Sequence, residues 1–144
     1  MRSFVLKAFE QINAKGKVGL FKSYKPEFKD GGQKRDFIYV KDAADMTLFF
    51  LDNPQLTGLF NIGIGKPRTW NDLVKAVFAA MDKEPKIEYI EMPESIRSQY
   101  QYYTCADITK LRKAGYNKET TPLEDAIKDY VQNYLQKNGY LTGI

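Results

Sequence analysis

Arg35 is the residue of this sequence best suited to bind an anion, because its planar guanidinium presents a fork of N–H donors that matches phosphate or carboxylate. It ends the segment from Lys22 to Arg35, which holds five basic residues against two acidic ones. This local excess of positive charge could attract an anionic ligand, or it could belong to an ordinary solvated loop with a surface arginine. The residues alone leave both interpretations open.

Other residue types restrict the chemistry. The chain has no histidine, which excludes serine–histidine and cysteine–histidine nucleophiles and histidine-ligated metals within it. The single cysteine, Cys105, cannot form an intrachain disulfide, and we predict a small, partly buried side chain there. No Tyr-x-x-x-Lys pair occurs. The sequence therefore predicts no catalytic residue within this chain.

Gly63-Ile64-Gly65 follows a short apolar run and precedes a helical pattern, which is where glycine-rich turns bind phosphate. The third glycine of a dinucleotide fingerprint is absent, and Pro67 removes a backbone donor. We therefore predict an ordinary tight turn.

The elements around Arg35 are predicted from local pattern. The β-branched and aromatic run Phe37–Val40 predicts a strand directly after it. Asp42 is predicted to be the N-cap of a helix over residues 42–52, with Asp45 in its first turn. The basic loop of residues 22–34 is long enough to be a binding loop or a lid.

The helical pattern that begins at residue 3 has no predicted N-cap, so Met1 resembles a cut into a longer chain. Further segments also have the periodicity of regular structure. The predicted segments are a helix over residues 3–14 ended by Gly16, strands at Val18–Phe21, Leu59–Ile62 and Lys86–Glu91, a helix capped by Thr69 with Asp72, a short helix from about Asp107 to Gly115, and a helix opened by Thr121-Pro122-Leu123-Glu124.

The totals describe about one domain. Strands and helices alternate along 144 residues, which predicts the α/β class. Hydrophobic residues make up 43%, the net charge of +4 is too small to indicate a nucleic-acid partner, and no apolar run has membrane-spanning length. We therefore expect a cytoplasmic protein. The helix of residues 42–52 and the strand 59–62 need more apolar cover than the chain provides, which suggests missing structure.

Two motifs carry a family resemblance: Arg35-Asp36-Phe37-Ile38-Tyr39-Val40-Lys41-Asp42-Ala43-Ala44 and Gly58-Leu59-Phe60-Asn61-Ile62-Gly63-Ile64-Gly65. They resemble the extended short-chain dehydrogenase/reductase family, the NAD(P)-dependent sugar-nucleotide epimerases and dehydratases. Residues 87–90, 97–104 and 106–116 resemble members that act on ADP-sugars, so the resemblance covers nearly the whole chain. It implies an α/β chain that is the C-terminal substrate-binding part, residues 1–144, without the N-terminal Rossmann domain. Residues 42–80 are then expected to pack on that absent domain.

The resemblance also implies a binding site. The residues expected to contact the nucleotide sugar are Phe21, Lys22, Ser23, Tyr24, Arg35, Tyr100 and Lys7, the last at a position where some members carry histidine. It implies NADP as a cofactor bound mainly by the missing domain, an ADP-sugar as substrate, and a homo-oligomer with no nucleic-acid or membrane partner. An enzyme for UDP- or GDP-sugars and a non-catalytic binding module remain open as alternatives.

Overall fold

The computed structural model describes residues 3–137 as a mixed α/β fold. The helices are α1 (Phe4–Lys15), α2 (Val40–Asp52), α3 (Trp70–Ala80), α4 (Glu94–Arg97), α5 (Thr109–Lys113) and α6 (Leu123–Asp129), which continues into a π-helical segment (Tyr130–Leu135). The strands are β1 (Val18–Phe21), β2 (Lys34–Arg35), β3 (Arg68–Thr69) and β4 (Ile87–Ile90). In the described part of the chain no helix is long and apolar enough to span a membrane.

Helix α3 lies at the centre of the main hydrophobic core. Its apolar face contacts α1, α6 and β1, because its buried residues recur at helical spacing. Those residues are Leu73, Val74, Ala76, Val77, Phe78 and Ala80. The predicted cap is confirmed: the Thr69 hydroxyl accepts from the backbone N–H of Asp72, and the Asp72 carboxylate accepts from that of Thr69. This reciprocal pair fixes the start of α3.

The strands form two small sheets. β1 and β4 pair in parallel, with Phe21 opposite Ile90. β2 and β3 pair antiparallel, with Arg35 opposite Arg68. The parallel pair brings the two carboxyl ends to the same edge, so the residues that follow Phe21 and Ile90 begin side by side.

Two predicted strands do not form. Residues 37–39 have no ladder partner within residues 3–137, and α2 begins at Val40 with Tyr39 as its N-cap. Residues 59–62 are also irregular, and Leu59 is 92% exposed. A strand needs a neighbour to bond its amides and carbonyls, and no described strand runs beside either segment.

The predictions for three side chains, Asp42, Thr121 and Cys105, are wrong. Asp42 lies inside the first turn of α2, where its carboxylate accepts from the backbone N–H and the hydroxyl of Thr121, each at 2.8 Å. The Thr121 hydroxyl is therefore bound to Asp42 and does not cap α6, which begins at Leu123 without a side-chain cap. Cys105 is exposed rather than partly buried, because it lies in a surface segment between β4 and α5.

Helix α1 has the cap that the sequence did not predict. The Ser3 hydroxyl accepts from the backbone N–H of Val5 at 3.2 Å. Gly16 ends the helix as predicted, with a left-handed φ of 66° that glycine adopts without a Cβ clash. The short helix α4 lies within residues 93–103, a segment for which the sequence predicts no regular element.

Residues 42–80 are expected to pack on another domain, but the exposure of their apolar side chains differs between α2 and α3. Helix α3 already fills its apolar face within this chain. Helix α2 has Met46 as its fully buried residue, whereas Val40, Leu48 and Leu51 are exposed, as is Leu59 beyond it. The uncovered apolar surface therefore lies on α2 and the segment after it.

Candidate functional site

Arg35 is held in place at the end of β2. Its guanidinium lies 5.4 Å from the ring centre of Tyr100 and 5.8 Å from that of Trp70. Nη1 donates to the Lys34 carbonyl at 2.8 Å, and Nη2 donates to the Gln101 carbonyl. A guanidinium has five N–H donors, so these two bonds orient the fork and leave donors for a ligand. Position and remaining donors together suit Arg35 to bind an anion.

Aromatic rings form a wall beside Arg35. Phe21 meets Tyr100 edge to face with 6.0 Å between ring centres, and Tyr100 meets Tyr102 in the same way at 5.5 Å. Burial raises the pKa of the Tyr100 phenol, although the positive charge of Arg35 acts in the opposite direction. The hydroxyl of Tyr100 is therefore neutral and able to donate a hydrogen bond at pH 7.

The loop that follows β1 is anchored at its start and at its end. The backbone N–H of Tyr24 donates to the Tyr102 hydroxyl at 3.1 Å, and that of Ser23 donates to the Asp30 carboxylate at 2.6 Å. The buried Gln33 side chain reaches back to the carbonyls of Phe21 and Lys22. These bonds favour a fixed loop over a mobile lid.

The first turn of helix α3 also anchors this loop. The Asn71 side chain donates to the Asp30 carbonyl at 2.9 Å, and its backbone N–H donates to the Gly31 carbonyl at 3.0 Å. Gly31 has a φ of 64°, and a Cβ at this position would collide with the Asn71 side chain. Only glycine therefore fits this turn.

Lys22 and Tyr24 converge on Glu91, a residue that sequence reasoning missed. Lys22 Nζ lies 2.6 Å from Glu91 Oε1, and the Tyr24 hydroxyl donates to Glu91 Oε2. Lys22 is the main cause of a lowered pKa for Glu91, followed by Tyr24. The Arg97 guanidinium stacks 4.1 Å from the centre of the Tyr24 ring. The parallel pairing of β1 with β4 is the signal that would have placed Glu91 beside Lys22.

The structure brings together six of the seven residues predicted to contact a nucleotide sugar. Phe21, Lys22, Ser23, Tyr24, Arg35 and Tyr100 lie around the end of β1 and its anchored loop. The hydroxyl of Ser23 donates to the Lys25 carbonyl, so it shapes the loop. Lys7 is exposed on α1, and no hydrogen bond or ring contact in the described residues links it to the other six.

The Gly63–Gly65 turn is built for the fold and does not fit a dinucleotide phosphate. The Asp36 carboxylate accepts from the backbone N–H groups of Ile64 at 3.0 Å, Gly65 at 2.9 Å and Ala106 at 2.9 Å. A Cβ at Gly63 would collide with the Ala106 side chain. The amides that a phosphate would need are therefore already bound, as a structural tight turn requires.

Curated relatives are similar to this chain over nearly all of its length. ADP-L-glycero-D-manno-heptose-6-epimerase of Nitratidesulfovibrio vulgaris strain DP4 is 54% identical over 135 residues, which are 94% of this chain and 42% of that protein. The enzyme of the same name from Fusobacterium nucleatum is 49% identical over 143 residues, 95% of this chain and 43% of that one. Residues 1–63 match the sequence profile of the NAD dependent epimerase/dehydratase family. This chain is therefore similar to members of that family over nearly all of its length.

A solved structure shows the same similarity. The Helicobacter pylori ADP-L-glycero-D-manno-heptose-6-epimerase superposes with a TM-score of 0.73 at 26% identity, over 92% of this chain and 38% of that one. The chain therefore spans about two fifths of the length of the relatives it matches. The predicted fold class, part of an extended short-chain dehydrogenase/reductase, is confirmed, and the family's cofactor is a nicotinamide dinucleotide.

Proposed function

We propose that this chain is the substrate-binding part of an ADP-L-glycero-D-manno-heptose 6-epimerase. The whole enzyme would convert ADP-D-glycero-D-manno-heptose to ADP-L-glycero-D-manno-heptose with NADP as cofactor, in the cytoplasm and as a homo-oligomer. The names of the similar relatives support the activity. Among the observations on this chain, the one that carries the proposal is the oriented fork of Arg35 beside the Tyr100 wall.

Arg35 suits the diphosphate of an ADP-sugar. A guanidinium binds phosphate oxygens through two parallel charge-assisted hydrogen bonds, and the two carbonyls that hold Arg35 fix the direction of its fork. Lys25 adds positive charge on the loop, which favours the approach of an anion. The rings of Phe21 and Tyr100 offer an apolar surface for the adenosine or the sugar.

The contribution of this chain to catalysis is binding and orientation. Its sequence contains no Tyr-x-x-x-Lys pair, and its glycine turn does not fit the cofactor. Holding the substrate in a fixed geometry lowers the entropy cost of a reaction that other residues carry out. We therefore expect no epimerase turnover from residues 1–144 alone, and turnover by the isolated chain would contradict this division of roles.

Substitution of Arg35 tests the binding role. Arg35→Ala removes a charged hydrogen-bond partner of the diphosphate, so we expect ADP to bind more weakly by about 1.5–3 kcal/mol in isothermal titration calorimetry. Arg35→Lys keeps the charge without the fork and should recover only part of the affinity. Lys128→Ala, an exposed lysine on α6, removes the same charge elsewhere and serves as the control. An unchanged affinity in Arg35→Ala would contradict the role of Arg35.

Competition among nucleotides separates the alternatives. Under the proposal ADP binds more tightly than UDP or GDP in the same titration, whereas an enzyme for UDP- or GDP-sugars reverses that order. A non-catalytic module would bind a nucleotide sugar as a stable monomer with no apolar surface to cover. The exposed Val40, Leu48 and Leu51 of α2 argue against such a module.

A further inference from the structure

The edge where β1 and β4 end is the natural ligand edge of the parallel pair. Phe21 lies opposite Ile90, and the backbone N–H of Lys22 donates to the Ile90 carbonyl at 2.9 Å, so Lys22 and Glu91 leave the two strands together. Ligands of α/β sheets bind outside the carboxyl ends of parallel strands. This edge also borders the aromatic wall, because the Phe21 ring contacts Tyr100.

The Glu91 carboxylate is oriented and accessible. Lys22 binds its Oε1 at 2.6 Å and the Tyr24 hydroxyl binds its Oε2, yet 62% of the Glu91 side chain is exposed. A carboxylate oxygen accepts up to two hydrogen bonds, so each oxygen keeps an acceptor position toward solvent. Two adjacent acceptors of this kind match a ligand with two adjacent hydroxyl donors.

The charge of Glu91 is balanced where it stands. Lys22 forms an ion pair with it, and the Arg97 guanidinium lies close by on the ring of Tyr24. A free carboxylate would repel a diphosphate bound at Arg35, whereas a carboxylate paired with cations keeps its acceptors and loses most of that repulsion. Glu91 can therefore share a site with an anionic ligand.

Contacts connect Glu91 to the Arg35 end of the site. The Tyr24 side chain binds Glu91, its backbone N–H donates to the Tyr102 hydroxyl, and the Tyr102 ring packs on Tyr100 beside Arg35. In a nucleoside diphosphate the ribose is joined directly to the diphosphate. We expect the ribose of a ligand anchored at Arg35 to lie on the side of the site that holds Glu91.

We propose that Glu91 is a specificity-determining residue whose carboxylate accepts hydrogen bonds from the two hydroxyls of the nucleotide's ribose. Acidic side chains recognise ribose hydroxyls in this way at dinucleotide sites. The inference rests on the proposed function, in which Arg35 binds the diphosphate. It assigns to Lys22 and Tyr24 the role of holding Glu91, in addition to any contact of their own with the ligand.

Affinities measured for two ligands and two forms of the protein test this role. Calorimetry would measure ADP and 2′,3′-dideoxy-ADP against the 144-residue chain and against Glu91→Gln. Hydrogen bonds to a charged acceptor are worth roughly a tenfold or greater difference in affinity. We expect the chain to prefer ADP by about tenfold, and Glu91→Gln to reduce that preference to about twofold.

Glu88→Gln is the matched control. Glu88 lies on the same strand, is half exposed, and forms an ion pair with Lys17 at 2.7 Å, but it is not at the carboxyl end of β4. This variant should keep the tenfold preference for ADP. Thermal melting checks that both variants are folded, which we expect because both side chains are exposed.

The possible results separate the inference from the function on which it rests. If ADP binds but Glu91→Gln keeps the full preference for ADP, Glu91 does not bind the ribose. If Glu91→Gln binds both ligands more tightly by the same factor, Glu91 only competes with the diphosphate for Lys22, and the inference is also wrong. If the unmodified chain binds no ADP, the proposed function fails and the inference fails with it.

Discussion

Helices α2 and α3 have similarly apolar sequences but opposite environments. Among residues 3–137, the core around α3 contains fourteen buried hydrophobic residues, whereas the cluster around α2 contains three, Met46, Leu111 and Tyr116. Val40, Leu48 and Leu51 of α2 are exposed, while Val74, Val77 and Phe78 of α3 are fully buried. Part of this chain therefore has a core of its own, and part presents an exposed apolar face.

The largest expected difference comes from truncating one side chain in each helix. Phe78→Ala should lower the free energy of unfolding by about 3–5 kcal/mol, because it leaves a cavity in the main core. Leu51→Ala should change it by no more than about 0.5 kcal/mol, since Leu51 is 72% exposed. Urea unfolding of the chain measures both values. Similar losses for the two variants would mean that α2 is covered in solution.

A smaller effect is expected at Asp36, where the segment before α2 binds distant backbone. Asp36→Ala leaves the amides of Ile64, Gly65 and Ala106 without their acceptor, so we expect a loss of about 1–3 kcal/mol in the same assay. Asp52→Ala, at the exposed end of α2, is the control. A loss at Asp36 no greater than at Asp52 would show that water replaces the carboxylate at little cost.

The smallest effect concerns the contact between the two regions, which depends on pH. Asp129 of α6 accepts from the Tyr39 hydroxyl and forms an ion pair with Lys41 at 3.0 Å, and these partners together with Asn133 lower its pKa from 3.8 to about 2, Tyr39 contributing most. A carboxylate with a lowered pKa adds stability above its unfolded pKa, and that stability disappears as the pH falls toward the folded value. Stability from Asp129 is therefore present at pH 5 and mostly lost near pH 2.

The measurement compares urea midpoints at pH 5 and pH 2.5. Asp129→Asn should be less stable than the unmodified chain at pH 5, and the gap should narrow at pH 2.5. Asp125→Asn, an exposed carboxylate of the same helix, should show no such change in the gap. A gap of equal size at both pH values would mean that Asp129 acts without its charge.

Sequence predicted the elements whose signals are local. The hydroxyl and carboxylate that cap α3 lie three residues apart, so the Thr69–Asp72 box is readable without the fold. Helix α1, strand β1 and strand β4 were found for similar reasons of short-range periodicity. The fold class and the resemblance to the epimerase family are also confirmed by the relatives.

The errors have a common physical origin in long-range contacts. The segments 37–40 and 59–62 have strand composition, but a strand depends on a neighbour that sequence pattern does not supply. Asp42 has the chemistry of a cap, yet its carboxylate binds Thr121, far along the chain. The position of Glu91 beside Lys22 was not predicted, because it comes from the pairing of β4 with β1. The contacts assigned to Phe21, Lys22, Ser23, Tyr24, Arg35, Tyr100 and Lys7 stay predictions.

The way Arg35 is held has a consequence for the order of folding. Its strand pairs with Arg68, and its guanidinium binds the Gln101 carbonyl 66 residues away. Closing loops of this length costs chain entropy before the contacts return any free energy. The guanidinium of Arg35 therefore acquires its direction only after most of the chain has been brought together. A nascent chain whose Gln101 has not yet emerged from the ribosome should therefore not bind ADP.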